Sequence, residues 1–147
     1  MLKRTTFTKT LSEKNIERQA FLIDAKKQKL GRLASLIAIK LIGKDKVNYV
    51  PNLDMGDYVI VINAAHLDLD PRKLSRKKYT RYSGYQSGLK TIALADLWPH
   101  QAEKIVKQAI KGMLPDNKLK KNRLKRLFVF KNHDYSVPNF VKNLMVQ

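Results

Sequence analysis

Two stretches of this sequence concentrate cationic side chains and contain no acidic residue. The first runs from Arg72 to Lys90 and the second from Lys118 to Lys131, and together they hold 14 of the 30 lysines and arginines. Cations placed this closely repel one another, so a cluster without a partner is unfavourable. Because lysine and arginine neutralise the phosphates of nucleic acids, the spacing predicts binding to a polyanion.

The first stretch also interleaves three tyrosines, Tyr79, Tyr82 and Tyr85, with its cations. Aromatic rings stack on unpaired bases while neighbouring cations neutralise phosphates, a combination suited to irregularly folded RNA. The same tyrosines could equally be half-buried residues of a strand, and the spacing leaves both interpretations open. The candidate RNA-binding residues are Arg72, Lys73, Arg76, Lys77, Lys78, Tyr79, Arg81, Tyr82, Lys90, Lys111, Lys118, Lys120, Lys121 and Arg123.

Two carboxylates three residues apart, Asp54 and Asp57, are candidates for catalysis. Such a pair could bind a divalent cation or serve in acid–base chemistry. The surrounding segment also carries Lys44, Lys46 and turn-forming residues. We therefore expect turn capping and local ion pairing at these positions instead.

The three histidines, His66, His100 and His133, are scattered and lack the spacing of metal ligands. Neither a Walker A sequence nor a G-x-G-x-x-G motif is present. We expect no enzyme, and no cofactor, metal or small-molecule substrate. Two alternatives stay open, an RNA-processing or RNA-modifying enzyme carried by Asp54, Asp57 and His133, and a nucleoid-type DNA-binding protein. No helix-turn-helix or basic-zipper pattern supports the second.

Composition limits the class of protein. Of 147 residues 44% are hydrophobic, enough for the core of one domain, and the net charge is +18. The absence of cysteine excludes a disulfide scaffold, a zinc ribbon and cysteine catalysis. The apolar runs are far shorter than the ~20 residues of a membrane helix. The polar N-terminus is not a secretory signal, so we expect a cytoplasmic protein.

The apolar pattern predicts the elements that must position these groups. Residues 20–25 and 58–63 are β-prone runs, and the second is β-branched throughout its centre, which indicates burial on both faces and favours an α/β fold. Residues 44–57 are expected to form an ordered loop. Residues 64–70 could add a short strand, and Pro71 is expected to end this part of the chain.

A helix is predicted from Leu30 to about Ile42, with Gly43 as its stop. Its wide apolar stripe, which includes Leu36 and Ile39, predicts a helix pressed between other elements. Gly31 lies where the helix begins and could approach a phosphate there, but close packing of helix and strand is the simpler explanation.

The second half predicts a helical turn over 93–98, and Pro99 marks a new helix start. A helix over about 101–114 follows, with a core stripe that includes Met113. Three lysines form a basic edge on another side of this helix, Lys104, Lys107 and Lys111. Residues 127–130 are the last predicted strand, and the remainder is expected to be a tail.

Five segments, in this order, resemble the bacterial-type large-subunit ribosomal protein thirteen family. They are FLIDA (21–25), LGRLA (30–34), GKDK (43–46), YVPNLDMGDYVIVINA (49–64) and AIKGMLP (109–115). Weaker similarities lie over 78–90 and 127–133, so that the resemblance spans residues 18–135. The sequence departs from the family where Ala20 replaces a tryptophan and Lys27 a glycine, which suggests a divergent member.

The resemblance implies an α/β fold, a single three-layer α/β/α domain around a small, largely parallel sheet, with basic loops and terminal extensions. It divides the chain into an N-terminal extension (1–17), the domain (18–135) and a C-terminal tail (136–147). It implies a structural constituent of the large ribosomal subunit that binds large-subunit ribosomal RNA and helps early assembly. Neighbouring large-subunit ribosomal proteins would be its other partners, on a cytoplasmic or organellar ribosome, without a membrane.

Overall fold

The computed structural model describes residues 16–26 and 28–145. Lys27 and most of the expected N-terminal extension lie outside the described residues. The elements, in chain order, are β1 (Ala20–Asp24), α1 (Leu30–Ile42), β2 (Tyr58–Ile62), a 3-10 turn (Ala64–His66), α2 (Pro71–Arg76), β3 (Lys78–Tyr82), β4 (Leu89–Ala93), α3 (Leu94–Met113), α4 (Lys120–Lys125), β5 (Leu127–Val129) and α5 (Asn139–Lys142).

The main sheet is parallel and has the strand order β1-β2-β5. Its central strand is β2, in which Val59 to Ile62 are all buried. The β-branched run of β2 therefore contacts core on both faces, as its sequence predicts. In register, Ala20 of β1 pairs with Tyr58, and Val59 pairs with Leu127 of β5.

The two faces of the sheet are covered by different parts of the chain. Val59 and Val61 pack with α1 and α3 in the larger hydrophobic cluster. Ile60 and Ile62, which alternate with them, pack against Val137 and Val141 in a second cluster. The three-layer α/β/α prediction is confirmed.

The C-terminal segment supplies the second helical layer. In this segment Asn139–Lys142 form α5, and the backbone N–H of Ala20 donates to the carbonyl of Leu144 at 2.8 Å. The segment that was expected to be a tail therefore covers one face of the sheet. The division of the chain at residues 17 and 135 stays a prediction.

The bounds of α1 are those that the sequence predicts, and Gly43 ends the helix with a left-handed φ of 76°. The expectation that α1 is pressed between elements on all apolar sides was wrong, because Leu36 and Ile39 are exposed. The helix covers one face of a narrow sheet beside α3, and its outer side is left in solvent. Close packing does not explain Gly31 either, since a Cβ there would have nothing within 4 Å.

The middle of the chain differs from the prediction at two places. Residues 64–70 form a 3-10 turn and a single bridge instead of a strand. Pro71 begins α2, where its fixed φ and missing N–H suit the first helical position. Asp70 caps this helix by accepting a hydrogen bond from the backbone N–H of Arg72 at 2.9 Å.

The long α3 consists of two helical parts that join at Gln101, whose φ of −136° and ψ of 41° are non-helical. The sequence predicts a new helix start at Pro99, and the break falls two residues later. Ala102, Ile105, Val106 and Ile110 are buried as predicted. Met113 was wrongly assigned to the core stripe, because it lies exposed at the end of the helix. None of the described helices combines the length and apolarity needed to cross a lipid bilayer.

Candidate nucleic-acid interface

The first acid-free stretch folds into α2 and the antiparallel hairpin of β3 and β4. Helix α2 is six residues long and has no buried residue, so Arg72, Lys73 and Arg76 are exposed around it. The hairpin then leads directly into α3 through Ala93. Helix and hairpin together form the first basic surface, which is defined by residues 72–90.

Within the hairpin, alternation places the candidate residues on two faces. Arg81 lies directly opposite Lys90, on the same face as Tyr79. Lys78 and Tyr82 lie on the other face. Like charges directly opposite each other destabilise a two-stranded hairpin. A bound polyanion would remove this repulsion.

Two of the three tyrosines are available to stack on bases, and the third is a half-buried strand residue. Tyr82 is 65% exposed and Tyr85, in the turn, is 79% exposed, so both rings are free to stack on a base. Tyr79 is half-buried, and this desolvation raises the pKa of its phenol. The Lys77 ammonium lies 5.7 Å from the centre of the Tyr79 ring, within the range of a cation–π contact.

The cations of the second acid-free stretch differ in how far they are exposed to solvent. Lys118 and Lys121 are exposed. The Lys120 ammonium is partly buried and lies 3.3 Å from the carboxylate of Asp116, one helical turn before it. Arg123 is only 1% exposed, and its Nε lies 3.7 Å from the carboxylate of Asp54. The prediction of Arg123 as a phosphate contact was wrong, because its guanidinium is enclosed by protein.

The basic edge of α3 adjoins this second stretch. Lys104, Lys107 and Lys111 are exposed and border a shallow groove, to which Leu124 and Leu127 also contribute. These three lysines, with Lys118, Lys120 and Lys121, form the second basic surface. Lys104 and Lys107 were missing from the candidate residues, although their helical spacing with Lys111 was a signal that could have added them.

The possible catalytic residues do not assemble. Asp57 is buried, and its carboxylate accepts hydrogen bonds from the Lys46 ammonium at 2.6 Å and the Gln19 backbone N–H at 3.0 Å. Asp54 is held by Arg126. His133 lies near Asp24 at the carboxyl end of β1, whereas Asp57 precedes the first residue of the parallel strand β2. The groups therefore lie at opposite ends of the sheet.

Each of the two acids has a structural role. The local ion pair expected for Asp57 is confirmed, whereas Asp54 pairs with a residue 72 positions away. In residues 16–26 and 28–145, no group of three histidine or acidic side chains has the arrangement of a metal site. The arrangement favours binding through exposed cations.

Comparison with known proteins identifies the family of this chain. The sequence profile of the family Ribosomal protein L13 matches residues 18–136. "Large ribosomal subunit protein uL13" of Prochlorococcus marinus is 46% identical over 128 residues, which cover 87% of this chain and 90% of the relative. The proteins of that name from Pelobacter propionicus and Staphylococcus haemolyticus are each 45% identical. They cover 84% and 81% of this chain, and 87% and 82% of their own length. The chain therefore belongs to the ribosomal protein L13 family.

Proposed function

We propose that this protein is a structural constituent of the large ribosomal subunit that binds large-subunit ribosomal RNA through its two basic surfaces. The observation that carries the proposal is membership of the L13 family over residues 18–136. The exposed cations of the hairpin and of α3 supply the means of binding. Other proteins of the large subunit are its neighbours in the particle.

The basic surfaces bind by neutralising phosphates that lie close together in folded RNA. Each contact releases condensed counterions, which is the main source of affinity. Contacts to phosphates position the protein but do not read sequence, so recognition depends on the shape of the RNA. Two separate surfaces on one rigid domain hold neighbouring RNA segments together, which is how the protein would help early assembly of the subunit.

Catalysis has no part in this function. The protein belongs to a family of structural ribosomal proteins and is not an enzyme. The separation of Asp54 and Asp57 from His133 agrees with this conclusion. A nucleoid-type role is not favoured, because the family that matches residues 18–136 is a ribosomal protein family.

The hairpin contacts are tested by the salt dependence of RNA binding. In the double variant Arg81→Ala/Lys90→Ala, the slope of log affinity against log salt should fall by about 0.7 to 0.9 for each lost contact. The matched control is Arg32→Ala/Lys44→Ala, which removes one exposed arginine and one exposed lysine outside both basic surfaces. Equal slopes for the two double variants would reject the hairpin as a phosphate-binding element.

The ribosomal role itself is tested by sedimentation of cell extract. The full-length protein should move with large subunits and stay with them in moderate salt. Recovery of the protein only in the fractions of free proteins would contradict the proposal. Preference for duplex DNA over structured RNA in a competition assay would favour the nucleoid-type alternative instead.

A further inference from the structure

A pocket outside both basic surfaces combines cations with aromatic rings, of which Phe140 is exposed. It lies at the end of the sheet where β2 and β5 begin. Arg18, Lys125 and Arg126 contribute its positive charge, and Tyr58, Phe128 and Phe140 contribute its aromatic surface. Neither the predicted contacts nor the two basic surfaces include these six residues.

Positive charge at this pocket exceeds negative charge. Among the described residues that line it, Asp54 is the only acid. The two terminal nitrogens of Arg126 donate to the two carboxylate oxygens of Asp54, one of them at 2.8 Å. Arg123 lies behind, with its Nε 3.7 Å from the same carboxylate. Arg18 donates to the backbone carbonyl of Asp54 at 3.3 Å. The carboxylate of Asp54 thus pairs with two arginines, Arg18 binds its backbone carbonyl, and Lys125 adds a fourth cation.

Two of these cations are deeply buried. Arg123 is 1% exposed and Arg126 is 8% exposed. The Nε groups of Arg18, Arg123 and Arg126 are buried and have no hydrogen-bond partner among the described residues. Buried charge that is not matched by an opposite charge is costly. An anion in the pocket would offset this excess, with Arg18 and Lys125 at its open side.

The aromatic rings make the pocket suitable for a planar group beside that anion. Phe140 is 54% exposed, so a large part of its ring is accessible to a ligand. Its ring meets Tyr58 edge to face, with centroids 5.7 Å apart and an interplanar angle of 74°. Because this contact uses at most one face of either ring, a flat face is left for stacking.

We propose that this pocket binds one unpaired nucleotide of RNA. Its phosphate lies between Arg18 and Lys125 in front of Arg126, and its base stacks on Phe140. A nucleotide fits better than an acidic peptide, because a peptide carboxylate would use the cations but leave the exposed ring unexplained. The inference rests on the proposed RNA binding and adds to it a third, aromatic contact point.

The pocket is tested with three single variants of the full-length protein, measured for affinity to transcribed large-subunit ribosomal RNA. Phe140→Leu keeps an apolar side chain but removes the stacking face, and should weaken binding by at least about fivefold without changing the salt slope. Lys125→Ala should lower the slope by about 0.7, as expected for one contact to single-stranded RNA. The control is Leu22→Ala, since Leu22 is exposed on the same face of the sheet but does not line the pocket.

A second measurement locates the contact directly. Zero-length ultraviolet crosslinking of the wild-type protein to the same RNA should join a base to Phe140, and the crosslink should be absent in Phe140→Leu. Because Lys125 is exposed, Lys125→Ala keeps the test valid even if the Phe140 variant is unstable.

The outcomes separate this inference from the proposed function. If the wild-type protein binds the RNA and all three variants bind with the same affinity and slope, the pocket does not hold a nucleotide. An acidic segment of a neighbouring ribosomal protein would then be the better partner. If the wild-type protein does not bind the RNA at all, the proposed RNA binding fails and the pocket inference fails with it.

Discussion

At the scale of single residues, burial decides what a charge does. Arg123 and Lys121 are two residues apart in one acid-free stretch, yet Lys121 is exposed and Arg123 is enclosed. The turn of α4 directs Arg123 toward Asp54 in the loop before β2, where Arg126 also binds. The cations of the second stretch therefore divide into those that hold the fold together and those that are free to bind RNA.

The ion cluster around Asp54 gives the first prediction. Replacing Asp54 with Asn leaves Arg123 and Arg126 buried without a carboxylate, so the free energy of unfolding should fall by about 3–5 kcal/mol. The control Asp116→Asn breaks the pair with Lys120, in which the Asp116 side chain is 96% exposed, and should cost no more than about 0.5 kcal/mol. Urea denaturation monitored by circular dichroism measures both. Equal stabilities of the two variants would show that the buried cluster does not stabilise the fold.

Asp24 gives a prediction about pH. Hydrogen bonds from the Lys26 backbone N–H and then from the Asn63 amide lower the pKa of Asp24 below its ordinary 3.8. Because the pKa is lower in the folded state, this stabilisation is present above the unfolded pKa and is lost as pH falls through the folded one. An NMR titration of the Asp24 carboxyl should give a midpoint below 3.8.

The variant Asn63→Gly is the control for that titration. Glycine accepts the positive φ of 59° at this position but has no amide to donate. The midpoint of Asp24 should move upward and still stay below its ordinary value, since the Lys26 N–H remains. An unchanged midpoint would contradict the assignment of the Asn63 hydrogen bond as a cause.

At the scale of elements, two glycines fix how the loop before β2 packs against the end of α1. A Cβ at Gly43 would lie 2.7 Å from the Met55 carbonyl oxygen, and one at Gly56 only 1.8 Å from the Leu41 carbonyl oxygen. Both distances are too short for any side chain, so backbone meets backbone here. This contact places Asp54 and Asp57 at the start of β2.

The Gly56 contact gives the third prediction. Gly56→Ala must push the loop away from α1, and the free energy of unfolding should fall by about 1–3 kcal/mol. The control is Gly112→Ala, because a Cβ at Gly112 in α3 has nothing within 4 Å. It should stabilise the protein by about 0.5–1 kcal/mol through helix propensity. Thermal unfolding of both variants tests the sign of each effect, and destabilisation by Gly112→Ala would contradict this account.

At the scale of the whole molecule, the net charge of +18 belongs mainly to surfaces that project from a neutral core. The sheet, α1 and the buried part of α3 form that core. The hairpin and α2 carry the first basic surface, and the outer edge of α3 carries much of the second. The fold thus keeps most of its positive charge on exposed elements, where ribosomal RNA can neutralise it.

The C-terminal segment gives a prediction at this scale. Removing residues 136–147 uncovers Ile60 and Ile62 and removes buried Val137 and Val141. Each lost valine contributes about 1.5–3 kcal/mol, so the midpoint of urea unfolding should fall strongly. The milder variant Val141→Ala should give a smaller loss in the same direction. Unchanged unfolding of the truncated chain would show that the second face of the sheet does not need this cover.

The sequence alone was sufficient for α1, for the central strand β2 and for the family. The periodicity of residues 30–42 gave both ends of α1, and the β-branched run of 58–63 gave the central strand, because local propensity and burial agree there. The two acid-free stretches predicted most of the cations that are exposed in the structure. The helix, the strand and the exposed cations depend on residues that are close together in the chain, so the sequence pattern predicts them directly.

Only the tertiary structure decided the features that depend on distant residues. It buried Arg123 against Asp54, left Leu36 and Ile39 in solvent, and brought the C-terminal segment onto the sheet. It also joined Arg18, Lys125 and Phe140 in one pocket, although more than 100 positions separate Arg18 from Lys125. The physical reason is that the use of a charge or an apolar ring depends on what packs against it. That partner comes from another part of the chain, so the residue pattern around the charge or ring does not predict it.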